Sequence, residues 1–206
     1  MRVEEIRARY KGLFEVAAAQ KGYFTSKQAA GCGYSRRVQH YHVKTGDWER
    51  INTGVYRIKN FPVTQNEDLV RWSLWSRKNS DIPQGVISHD SALSFYELSD
   101  IIPSAVHLTV PGKFRKKPSG GCILHKRELL PEDAKQEEGF KVTTPLKTIL
   151  DSAEGKLSPE QLDRAVRDVF RKGMLVPASI TEAYMPLKTR EIIIPIIDRY
   201  LKTPGY

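Results

Sequence analysis

Residues 22–59 carry start and stop signals for helices and strands packed so closely that few folds can accommodate them. Thr25, with Gln28 three residues on, makes a capping box that opens a short helix at about Ser26. The Gly31-Cys32-Gly33 stretch breaks that helix. Ser35 is placed to cap a further helix running to about Thr45, and Gly46 is a natural left-handed stop. Upstream, Val3, Ile6, Tyr10, Leu13, Phe14 and Ala17 recur at helical spacing over residues 3–20, before Gly22. Downstream, Trp48, Ile51, Val55, Tyr56 and Ile58 are strand formers around the tight turn Asn52-Thr53-Gly54. The order predicts a helix–turn–helix followed at once by a β-wing, a winged helix over residues 1–62. Pro62 and the polar residues after it mark a boundary near 60–67.

Beyond that boundary the pattern alternates helix and strand. Helices are expected over 67–78, 88–99, 146–154 and 157–173, the last with Ser158 at its N-cap, Pro159 next and Gln161 two further on. Strands are expected over 84–88, 105–111, 121–129 and 140–145. A final helix over 190–202 contains Pro195, which predicts a kink or a late start. The fold class is therefore α/β in the α+β sense, with a mixed α/β domain over residues 63–206.

Charge narrows the partners. The chain of 206 residues has a formal net charge of +9. Residues 1–62 hold twelve Lys and Arg against five Asp and Glu, while the remainder holds 21 against 19. The excess sits in the winged helix, where it can steer the chain to a polyanion. No apolar run approaches the roughly 20 residues of a membrane span, and the charged N-terminus lacks the apolar core of a signal peptide. Two widely separated cysteines, Cys32 and Cys122, make no disulfide framework, so a reducing cytoplasm is expected.

The stretch Gly33–Gly46 packs two arginines, a lysine, two histidines and two tyrosines into fourteen residues. On a helix starting after Ser35, Tyr34, Val38, Tyr41 and Thr45 form a stripe expected to face inward, leaving Arg36, Gln39, His40 and Lys44 outward with Arg37 on the flank. Arginine forks suit guanine edges or phosphate oxygens, and the major groove admits one helix. His42 is ambiguous, because Val43 also seeks burial. Arg50, Arg57 and Lys59 on the wing strands, with Asn52 and Thr53 at its tip, would reach the minor groove or the DNA backbone. A metal site on His40 and His42 is not expected: two residues apart on a helix, they diverge by about 200°.

His89, His107 and His125 are scattered, with no nucleophile or carboxylate at a recognisable catalytic spacing, and no Gly-rich phosphate loop is present. No catalytic residue and no cofactor is expected. The segment 111–121 carries Lys113, Arg115, Lys116 and Lys117 around Phe114. Two readings stand side by side: a second nucleic-acid contact with Phe114 stacking on a base, or a hairpin loop whose lysines keep a sheet edge from aggregating.

The stretch "GYFTSKQAAGCGYSRRVQHYHVKTGDWERINTGVYRI", and after it "ISHDSALSFYELSD", "VHLTVP" and "VTTPLKTILDSA", resemble the AbiEi-type antitoxins of type IV toxin–antitoxin (abortive infection) systems. The resemblance spans roughly residues 10–175. It implies a cytoplasmic protein whose winged helix binds inverted repeats in its own promoter and represses the operon. It implies a second domain that neutralises a nucleotidyltransferase-like toxin, usually without a stable complex. Ser35, Arg36, Arg37, Gln39, His40 and Lys44, with Asn52 and Thr53, fall at its DNA-contact positions. The alternative is a winged-helix transcription regulator whose second domain senses a ligand or protein partner. An enzyme such as a nuclease is disfavoured, for want of acidic residues and a lysine clustered on a strand pair.

Overall fold

The computed structural model describes residues 3–78, 81–155 and 157–202. The chain divides into two compact units, Met1–Gly85 with Glu137–Phe140, and Val86–Gln136 with Lys141–Tyr206.

In the first unit, α1 (Val3–Ala18) leads into β1 (Tyr23–Thr25), α2 (Ser26–Gly31), α3 (Arg36–Thr45), β2 (Trp48–Asn52) and β3 (Val55–Ile58). The capping box forms: the Thr25 hydroxyl accepts from the Gln28 N–H and the Gln28 amide oxygen accepts from the Thr25 N–H, each at 2.9 Å. Gly46 stops α3 at φ +79°. The N–H of Asp47 then reaches back to the His42 carbonyl at 2.9 Å and that of Gly46 to Val43 at 3.3 Å, which satisfies the last carbonyls of the helix. The strands make an antiparallel sheet in the order β1-β3-β2, with a bulge at Ile51. This order of elements is that of a winged helix.

The core beneath the sheet is small. Leu13, Ala17, Phe24, Ala29, Tyr34 and Trp48 fill it, with the Phe24 ring edge-on to Trp48 at 4.7 Å. Of the apolar stripe on α1, only Leu13 and Ala17 are buried; Val3, Ile6, Tyr10 and Phe14 are exposed. A core this size takes up only the C-terminal turns of a sixteen-residue helix. After the loop at 59–66, α4 (Glu67–Trp75) packs on β1 and β3 and buries Leu69, Val70, Trp72 and Leu74. The first unit therefore runs on to Gly85, past the loop at residue 62.

The second unit is built on a five-stranded sheet in the order β6-β5-β4-β8-β7. Its elements are β4 (Val86–Ile87), α5 (His89–Phe95), β5 (Val106–Val110), β6 (Cys122–Lys126), β7 (Ala134–Glu137), β8 (Phe140–Thr143), α6 (Pro145–Glu154), α7 (Pro159–Arg171), α8 (Pro177–Thr181) and α9 (Leu187–Lys202). β4 runs antiparallel to β5 and parallel to β8, and β5 runs parallel to β6, so the sheet is mixed. The hairpin reading of 111–121 is corrected here: a segment joining parallel strands is a crossover, and it delivers β6 to the sheet edge. α9 starts at Leu187, earlier than expected, and continues through Pro195 with Ile193, Ile196 and Ile197 buried on either side of it. Burial of both halves offsets the hydrogen bond the proline removes. No helix among the described residues is long and apolar enough to cross a membrane.

The three scattered histidines of the sequence meet in this unit. His89 stacks on His125 with ring centroids 3.5 Å apart, and His125 Nε2 lies 3.2 Å from His107 Nδ1. His107 Nε2 is 3.9 Å from an Asp90 oxygen. Burial, helped by His125, His107, Arg127 and Lys147, pushes His89 down to about 3. Burial also lowers His107 and His125, with Asp90 opposing it in both. An unfolded histidine takes its proton near pH 6.5. Below that pH the unfolded chain binds more protons than the fold, so the contribution of His89 is full above 6.5 and is lost as pH falls toward 3. The urea midpoint is expected to drop between about pH 7 and 5. His89→Asn, which tolerates the left-handed backbone at φ +50°, should flatten that drop. Asp151, raised by burial, acts in the opposite sense. An unchanged slope in His89→Asn would remove the imidazole from the account.

Candidate nucleic-acid interface

α3 presents one face to solvent, and the arithmetic of the helix says which. At about 100° per residue, Arg36, Arg37, His40, Tyr41 and Lys44 fall within about 140° of arc, and all five are exposed. Val38, Gln39, His42 and Val43 occupy the opposite side. Tyr41 is 61% exposed and lies among the basic residues, not in the inward stripe expected for it. Position 41 belongs to the same arc as 36, 37, 40 and 44, and that arc is readable in the sequence. Thr45, also expected inward, is exposed; its hydroxyl donates to Asp47 Oδ2 at 2.7 Å.

Gln39, expected to face outward, is 2% exposed. Its amide oxygen accepts from the Ser26 hydroxyl at 2.7 Å, and its nitrogen donates to the carbonyls of Ser26 at 3.0 Å and Tyr34 at 2.8 Å. A polar group so fully partnered clamps α3 to the start of α2. His42 also turns inward: its ring stacks on Trp48 at 4.7 Å, and Nδ1 sits 2.9 Å from Asp47 Oδ2. The Thr45 hydroxyl and His42 together hold the Asp47 carboxyl below the usual carboxylate range. Ser35 spends its hydroxyl on the Val38 N–H, 3.5 Å away.

The wing is short and tied down. The Gly54 carbonyl accepts from the Ser26 N–H at 3.0 Å and from the Arg77 guanidinium at 3.4 Å, while Thr53 stays exposed at the tip. Arg50 is exposed on β2, and Asn52 is half-buried. Arg57 corrects a second expectation. It is 8% exposed, donates to the Phe61 carbonyl at 2.9 Å, faces Glu67 at 3.3 Å and lies over the Tyr23 ring. It is an anchor for the chain leaving the wing.

The fold therefore brings Arg36, Arg37, His40 and Lys44 together on α3, adds Tyr41, and holds Arg50 and Thr53 on the wing beside them. Gln39 and Arg57 are withdrawn into the structure. Lys113, Arg115, Lys116 and Lys117 are exposed in the second unit, but Phe114 between them is 4% exposed and packed, so its ring is not available to stack on a base. Among the described residues, no group of three or more His, Cys, Asp and Glu is arranged to hold a metal ion.

The first unit thus has the element order of a winged helix, and its third helix turns a solvated basic face outward. Residues 12–59 match the family described as "Transcriptional regulator, AbiEi antitoxin". The match runs from the middle of α1 to just past β3, the stretch that folds as the winged helix. It lies within the 10–175 span over which the sequence resembles AbiEi-type antitoxins. No curated protein matches the chain.

Removing the clamp separates the two kinds of α3 residue. Gln39→Leu leaves the partners of a buried amide unsatisfied and is expected to cost about 1–3 kcal/mol. His40→Ala, on the exposed arc, should stay within about 0.5 kcal/mol of the parent. Urea denaturation of both variants checks the difference.

Proposed function

We propose that this protein is an antitoxin that also represses its own operon, binding promoter DNA through the first unit. The observation that carries the reading is the exposed arc of Arg36, Arg37, His40, Tyr41 and Lys44, set on the side of α3 opposite its anchors. A helix of that width enters the major groove, where Arg36 and Arg37 can take guanine O6 and N7 or a phosphate. Lys44, two turns further on, meets the backbone. Arg50 and Thr53 on the wing touch the flanking minor groove or phosphates. The match of residues 12–59 to antitoxin transcriptional regulators supports the same reading.

On this proposal the target is double-stranded DNA carrying inverted repeats, and the protein works in the cytoplasm without a cofactor or catalysis of its own. The second unit neutralises a nucleotidyltransferase-like toxin without forming a stable complex with it. Co-expression with the neighbouring toxin gene should restore growth, while affinity purification recovers no toxin. Failure to restore growth, with promoter binding intact, would reduce the protein to a transcription regulator.

For the DNA half, Arg36→Ala or Arg37→Ala is expected to weaken operator binding by about 1–3 kcal/mol and to relax preference at one base pair. Lys44→Ala should weaken all sequences alike and lower the salt slope by about one. Mobility-shift titrations at several salt concentrations distinguish the two patterns. Unchanged affinity in all three variants would remove α3 from the interface.

A further inference from the structure

The small core of the first unit leaves the first half of α1 uncovered: every residue from Val3 to Ala8 is exposed. At about 100° per residue, Val3, Ile6, Tyr10 and Phe14 fall within about 80° of arc. All four are exposed, so α1 carries a continuous apolar stripe into solvent. Its inner end is held in place, with Tyr10 stacked on Phe14 at 6.0 Å and Phe14 leaning on Phe61 at 6.1 Å. Short solvated helices are marginal in water by propensity alone, and what stabilises them is the covering of an apolar face.

The charges beside the stripe select what covers it. Glu4, Arg7 and Lys11 line its outer flank, while on the other side Arg9 lies against Gly33 of the same unit. A second α1 laid parallel would set Glu4 on Glu4 and Lys11 on Lys11. Laid antiparallel, about a two-fold axis passing between Arg7 and Ala8, the flank complements itself: Glu4 comes level with the second copy's Lys11, and Lys11 with its Glu4. Lys11 holds its own Glu15 loosely, at 3.9 Å with both side chains largely in solvent, so its ammonium has donors to share. The two Arg7 fall beside the axis, where their long stems let the guanidiniums part into water. The same register interleaves the apolar side chains. Val3 falls between the second copy's Tyr10 and Phe14, and the two Ile6 meet at the axis.

We infer that α1 is a contact between two copies of this chain, paired antiparallel through Val3, Ile6, Tyr10 and Phe14, with Glu4 of each copy on Lys11 of the other. About three turns of each helix are covered, less than the roughly 800 Å² a side of a standard interface. The dimer is therefore weak, with a Kd of about 10–100 µM. It stands without the DNA reading, and its test uses no DNA.

Sedimentation equilibrium of the full chain, from about 2 to about 500 µM, is expected to show monomer passing into dimer. Ile6→Asp, at an exposed position, should leave the urea midpoint at about 2 µM unchanged and keep the chain monomeric throughout. Glu4→Lys and Lys11→Glu each put two like-charged pairs into the contact and should weaken the dimer about ten-fold. The double variant Glu4→Lys/Lys11→Glu should return to within about two-fold of the parent, a pattern that only antiparallel pairing of α1 with itself produces. A chain that stays monomeric up to about 500 µM would overturn the proposal, as would a dimer untouched by Ile6→Asp. Single reversals that weaken the dimer without recovery in the double variant would overturn it too, by assigning the stripe to another occupant.

Discussion

The orientation of α3 depends on one buried amide. Gln39 has no water to fall back on, so its oxygen and nitrogen must be met by Ser26 and Tyr34, and only one relative placement of α2 and α3 does this. The Tyr34 ring is packed against Trp48 at 5.1 Å, which carries the constraint into the sheet. With the inner side of α3 held in this way, Arg36, Arg37, His40, Tyr41 and Lys44 have nowhere to go but outward. The basic face is a consequence of what the opposite side of the helix satisfies.

The same economy explains the apolar surface of the first unit. A winged helix of this length has room beneath its sheet for one turn of α1, taken by Leu13 and Ala17. The rest of the stripe had to stay outside, where its Tyr10 and Phe14 pack with Phe61 into an aromatic wall. Arg57 serves the opposite purpose: buried against Phe61, Pro62 and Glu67, it joins the end of the wing to the start of α4. A guanidinium in such a place must be paired, because an unpaired buried charge costs several kcal/mol.

In the second unit, polar groups are gathered and not dispersed. Asp151, 2% exposed on its side chain, meets the Lys147 ammonium at 2.5 Å and Arg127 at 3.2 Å, and Arg127 reaches on to Glu154 at 2.6 Å. These charges and the three imidazoles act on one another, since Arg127 and Lys147 help to keep His89 neutral. His89 itself sits at φ +50°, a conformation that a residue with a Cβ adopts only when its surroundings hold it there. The Ser88 hydroxyl does part of this, 2.9 Å from His89 Nδ1 and accepting from Thr109 at 2.8 Å.

The sequence by itself determined the local structure of the first unit. Capping by Thr25, Gln28 and Ser35, the left-handed stop at Gly46 and the turn at Gly54 act over a few residues, and each formed where those residues stand. It also located the basic helix, and the match over residues 12–59 falls on the same stretch. What it could not determine is which polar side chains the fold would consume. Gln39 and Arg57 look as available as Arg36 in a one-dimensional pattern, yet their partners lie on other elements or across the chain's next loop. Tyr41 shares a helical stripe with Tyr34 and Val38, yet it lies on the exposed arc. The meeting of His89, His107 and His125, and the parallel pairing of β5 with β6, depend on contacts 16 to 36 residues apart. Caps and turns are decided by neighbours in sequence; burial, partnering and strand direction are decided by neighbours in space, and only the tertiary structure supplies those.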